Sequence, residues 1–355
     1  MKDATVAAGL PAGETADLLE VDEDFTEYAY RHGWTDGLPV VAPTPERVAA
    51  MLEHARRGPL ETIAVLPPGQ GVATVEAIAT NAVMAGCKPE HLPVVLAAVR
   101  AVAEPSFNIY GMQATTNPVT PALMINGPLA RELDFNGGAN CFGQGNQSNA
   151  VVGRALRFCL LNIGYGTPGE LDMATQGQPG KYTFCFAENE DANPWEPHHV
   201  ERGFARESSC VTAFQAAMLV NILDFGSKTA ESLLTSIADA MASTNTNNMQ
   251  LAGGDLALVL CPEHAEILGR EGLSKDDVRR FLFQNARVPA SRFSEGLLNC
   301  VKDWRNENYK IIKPDTQIPV VDDYRHIQIA VAGGAGSQSA YIPGFGDGWS
   351  QSVEI

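Results

Sequence analysis

The stretch DLALVLCPEHAEILGREG, residues 255–272, decides the fold class. Six apolar or small residues in a row suit a strand buried on both faces, and Pro262 then stands where a helix would begin. Apolar positions next recur at helical spacing until Gly272. The unit is a strand running into a helix. HIQIAVAGG (326–334) supplies a second strand of the same kind, and SKDDVRRFLFQNA (274–286) a helix capped by Ser274, with Asp276 and Asp277 in its first turn.

The first half repeats this alternation. Helices are expected over Glu14–His32, Glu46–Arg57, 73–86, 88–103 and 148–164. Strands are expected at ETIAVL, PALMING and KYTFCFAE. The second half adds the strand SSCVTAFQAAMLVNIL and the helix TAESLLTSIADAMAST (229–244). Strands alternating with helices predict an α/β or α+β fold of layered mixed sheets with flanking helices, with two α/β halves as one form of it. The expected division is a flexible segment and first helix at 1–30, an N-terminal α/β region at 31–204 and a C-terminal α/β region at 205–355.

The 355 residues carry a net charge of −17 and are 45% hydrophobic, enough for a large core. An acidic surface without basic runs repels nucleic-acid phosphates and anionic lipid. No apolar stretch approaches the ~20 residues of a membrane helix, and the N-terminus lacks a signal-peptide pattern. The seven cysteines are scattered, without CxxC or zinc spacing, so a reducing cytoplasm without disulfides is expected.

Chemistry centres first on GGANCFGQGNQSNAVVGRA (137–155), a glycine- and amide-rich loop before a helix. Such a loop can offer backbone N–H groups to an anion or carbonyl. It lacks the P-loop lysine, and Ser148 replaces the third glycine of GxGxxG, so a nucleotide reading is weak. Capping by Asn146 or Ser148 is the plain alternative. The candidate substrate-binding residues are Asn126, Asn140, Gly143, Gly145, Asn146, Ser148, Arg154, Lys181 and Tyr182. Cys141 and Cys87 each border a helix start, where a thiolate is stabilised, although packing is the commoner fate of a free cysteine. Glu188 and Glu190, two apart in an extended chain, share one face and could divide acid and base roles. Solvated loop carboxylates are the alternative. His198-His199 reads as a surface pair, or as a metal-hydrolase set together with Glu188 and Glu190.

WTDGLPVVAPTPERVAAML (34–52), ATVEAIATNAVMAGCKPEHLPVVLAAV (73–99), INGP (125–128), FGQGNQSNAVVGRALR (142–157), QPGKYTFCFAENEDANPWEPHHVERGF (178–204) and AVAGGAGSQSA (330–340) span nearly the whole chain. Together they resemble a poorly characterised bacterial family that occurs beside small redox-type proteins with a UGSC or CGSC motif (selenocysteine or cysteine). The resemblance implies a small thiol or selenol partner rather than a defined reaction. Cys87 lies in the segment that resembles the family best.

The expected function is therefore an enzyme that cleaves, or adds to, a small carboxylate- or carbonyl-containing substrate. Cys87 would be the thiol and Glu188 the proton carrier, with Cys141 a second candidate. The alternative is a substrate-binding subunit serving the thiol or selenol partner. No cofactor or metal, no nucleic acid and no membrane are expected, and homo-oligomer formation is left open.

Overall fold

A computed structural model describes residues 4–7, 18–21, 23–251, 253–305 and 307–355. The helix expected over Glu14–His32 is confined to Phe25–Arg31, where the Asp24 side chain caps the Thr26 and Glu27 N–H groups; Leu18–Val21 is a strand, and 14–17 lie outside the described residues.

In chain order the elements that build the body are α1 (Val75–Ala85), α2 (Leu92–Ala103), β1 (Thr120–Asn126), α3 (Gln147–Phe158), β2 (Cys185–Ala187), β3 (Cys210–Ala216) and β4 (Val220–Leu223). Then follow α4 (Ala230–Met241), β5 (Leu256–Leu260), α5 (Pro262–Arg270), α6 (Lys275–Asn285), β6 (Ile327–Val331), β7 (Gln338–Ile342) and β8 (Gln351–Glu354). One four-stranded sheet has the order β8-β3-β1-β2, the other β6-β5-β7-β4. Both are mixed. The β1/β2 and β5/β6 pairs run parallel and the remaining neighbours antiparallel.

The alternation of side chains along each strand stacks the layers. On β1, Leu123 and Ile125 join the cluster beneath α1, α2 and α3, while Ala122 and Met124 face the other way. On β5, Leu256, Leu258 and Leu260 pack against α4, α5 and α6, while Ala257 and Val259 face the first sheet. The two sheets thus share a middle layer of Met124, Phe186, Phe214, Val259 and several alanines, with helices outside each. The molecule is a four-layer α/β/β/α sandwich. Burial on both faces accounts for the continuous apolar runs in β1 and β5.

The chain does not change sheets at residue 205. Strand β3 pairs with β1 along its whole length, and the C-terminal β8 returns to pair with β3. Local chemistry fixes the helix ends: Thr74 caps α1, Asn146 caps α3, and Ser274 and Asp277 form a capping box on α6.

Candidate functional site

The ends of β1, β2 and β6 meet at an acidic cluster. Asn126 Nδ2 donates to Glu188 Oε2 at 2.6 Å and to Glu190 Oε1 at 2.9 Å, so the two carboxylates do share a face. Glu188 also accepts from the His198 backbone N–H at 2.7 Å, Asn193 Nδ2 at 2.9 Å and, more weakly, the Val331 N–H at 3.4 Å. Val331 belongs to the second sheet, so this carboxylate ties the two sheets together. Burial raises its pKa, against the pull of Lys275 and these donors. Glu190 takes the Gly127 N–H at 2.8 Å and faces a small cleft of about 190 Å³ that Asp191 and the Arg131 guanidinium also line.

His198 and His199 are fully buried rather than a surface pair. Burial, with Lys275, Arg202 and Arg279 nearby, keeps His198 neutral. His199 Nδ1 lies 3.7 Å from Glu190. Among the described residues, no three His, Cys, Asp or Glu side chains converge as metal ligands.

The loop 137–149 is satisfied from within. Asn140 Nδ2 donates to the Gln144 carbonyl, and Asn146 caps Asn149 and donates to the Asp134 carbonyl. Asn149 binds the Asn136 backbone through both ends of its amide, and Ser148 donates to the Leu133 carbonyl. Gly143 and Gly145 are exposed, and none of the expected loop residues lines the cleft or the cavities described next. Arg154 is committed as well, forking onto Asp36 at 2.7 and 2.8 Å.

Lys181 and Tyr182 do line a cavity, one of about 700 Å³ walled by the turn-rich segment 166–182. Such a volume suits a small organic ligand. Lys181 Nζ bonds both oxygens of Asp172 at 2.6 and 2.7 Å, with its side chain only 15% exposed. Burial holds the ammonium below its usual range, against the pull of Asp172. Beside it Arg157 Nε donates to the Lys181 carbonyl, while its two other nitrogens hold Gln113 Oε1 and the Thr120 hydroxyl. That bond orients the Gln113 amide. Its Nε2, in a side chain only 1% exposed, has no partner among the described residues. It points at Gly166 on the cavity wall, where a Cβ would sit 2.3 Å away. Lys181 and Arg157 thus bring two cationic side chains to the cavity wall, while the Gln113 nitrogen lies behind Gly166.

Asp172, Arg157 and Gln113 were missing from the expected set. Arg157 lies in the quoted helix, but nothing local marks it as reaching a residue 44 positions earlier.

The thiols lie elsewhere. Cys87 Sγ donates to the Val151 carbonyl at 3.4 Å, and burial pushes its pKa up. Cys141 sits between the sheets, its thiol pushed up to about 11 by burial. Cys87, Cys141 and Glu188 do not line one pocket. Cys261 differs. Burial opposes its ionisation, but bonds from His264 and Ser339 outweigh it and lower its pKa. It is only 2% exposed and lines none of these cavities.

The fold and site define a four-layer α/β/β/α protein with a cavity lined by Lys181 and Arg157 and an acidic cluster at the strand ends. No family model, curated protein or solved structure matches the chain.

Proposed function

We propose that the protein is an enzyme acting on a small compound with a carboxylate or carbonyl group, held in the cavity beside Lys181. The observation that carries this reading is the buried Lys181 ammonium on the cavity wall, paired with Asp172 and flanked by Arg157. Donors fixed in advance stabilise negative charge on an oxygen as it develops. Lys181 is the group that can give a proton to that oxygen and recover it through solvent. The reaction class this supports is cleavage or addition at the carbon bearing or adjoining the group. Cys87, half-buried, and Cys141, buried, both have raised pKa values and take no direct part in this reading.

That same placement favours a second reading. A thiol, where the chemistry uses one, comes from a small UGSC- or CGSC-motif partner, and this chain supplies the substrate site. The free cysteines support a reducing cytoplasm as its setting. No described helix is long and apolar enough to cross a membrane.

The test is calorimetric titration of short carboxylates into wild type and Lys181→Met. Loss of a buried cation contact should weaken binding by about tenfold or more. Equal affinity in the two proteins would sink the proposal. Turnover by the chain alone, against turnover only with the partner added, separates the two readings.

A further inference from the structure

A second compartment adjoins the cavity. It has about 230 Å³ and shares Gly33, Leu161 and Thr167 with the larger one. Three rings line it: His32, Trp34 and Tyr165. Trp34 belongs to a ring cluster in which His32 stacks on Tyr28 at 4.1 Å and Trp34 meets them at 5.2 and 5.7 Å. Met84 supplies a thioether on the same wall, and sulfur packs well against ring edges. The two amides of the lining form a fixed pair, Asn162 Nδ2 donating to Asn81 Oδ1 at 2.7 Å.

Tyr165 stands where the compartments meet, one residue before Gly166 of the larger cavity. Its φ is +56°, the left-handed region that a bulky side chain rarely adopts. Such strain persists only where the surroundings dictate it. Here they do. The ring lies over Gly69, where a Cβ would come within 2.4 Å of a ring carbon, and the Gly69 N–H is bonded to the Gly164 carbonyl at 3.0 Å. The ring is 44% exposed, so burial of its apolar surface does not explain the conformation.

We infer that this compartment receives a flat ring, so that the substrate is an aryl- or heteroaryl-bearing carboxylate or carbonyl compound, its oxygen head beside Lys181 and its ring between Trp34 and Tyr165. The inference rests on the reading of the larger cavity given above. Size limits the tail to one flat ring system, since an apolar cavity on the order of 150 Å³ accommodates benzene and this one has about 230 Å³. Aromatic walls supply stacking beyond simple area burial.

Three probes test it by calorimetry: butanoate, 3-phenylpropanoate and indole. The expectation is that 3-phenylpropanoate binds about tenfold more tightly than butanoate. Trp34→Leu and Tyr165→Gly should each remove most of that advantage and weaken indole, leaving butanoate unchanged. Tyr165→Gly is the safer variant for folding, because glycine adopts this φ freely. An aryl advantage absent in wild type, or one that survives both substitutions, overturns the inference. Failure of the underlying reading looks different: Lys181→Met would leave butanoate and 3-phenylpropanoate alike unchanged, while indole would still report on the compartment.

Discussion

The glutamate cluster and the lysine cavity are built from similar materials to opposite ends. Both combine a buried charge with side-chain amides near strand ends. Around Glu188 two amides and two backbone N–H groups converge, so the carboxylate is saturated and joins the sheets. Around Lys181 the bonds stop short. Asp172 takes the ammonium and Arg157 orients Gln113, whose nitrogen stays unpartnered behind Gly166, while Lys181 and Arg157 line an open volume of about 700 Å³. A saturated polar cluster specifies structure; an unsaturated one facing a cavity can bind.

Removing Glu188 should break that contrast most severely. Glu188→Ala takes an acceptor from Asn126 and Asn193 and leaves the buried His198 N–H without its side-chain partner, in a site where the residue is 5% exposed. Loss of about 3–5 kcal/mol in urea unfolding is expected. Glu188→Gln, which keeps the shape and one acceptor, should lose less. A loss under about 1 kcal/mol for the alanine variant would show that the cluster is not what holds the sheets.

The corresponding change at the cavity should be milder. Asp172→Asn leaves Lys181 beside Arg157 without its carboxylate, and a cost of about 1–2 kcal/mol is expected because the lysine keeps some solvent. The sign of its pH dependence follows from linkage. Without Asp172 the folded-state pKa of Lys181 falls further below the unfolded value. The unfolded chain then binds more protons in the interval between the two, and the variant regains stability as pH rises through it. Melting curves that fall with alkaline pH in step with wild type would contradict this.

The layers were legible in the sequence because burial on two faces writes itself as unbroken apolar runs, and caps such as Ser274 act within one turn. The pairing of Glu188 with Glu190 followed from the two-residue period of an extended chain. Strand β7 was not foreseen. Its serines and the glycines before it are poor strand formers, yet Ser339 is buried and accepts from the Cys261 N–H at 3.0 Å across the sheet. The amides of 137–149 carried the signature of a binding loop, but a sequence does not show whether an amide's partner is a ligand or its own backbone. The cavity depends on contacts with no local period, such as Arg157 with Gln113 and Lys181 with Asp172, so only Lys181 and Tyr182 were anticipated there.

The smallest expected effect is also the one most specific to Lys181. Burial depresses its pKa from the ordinary value of 10.5, while Asp172 pulls it back. A carboxylate bound beside the ammonium is held only while that amine is protonated. Affinity should therefore be constant at neutral pH and decline as pH rises through the depressed value, below 10.5. Lys181→Arg keeps the charge throughout this range, so its affinity, even if lower because the fork fits Asp172 differently, should be independent of pH there. Titrations of butanoate at a series of alkaline pH values compare the two proteins directly. Wild-type affinity that stays flat up to pH 10.5, or a decline shared by Lys181→Arg, would move the binding of the carboxylate from Lys181 to the other donors on the cavity floor.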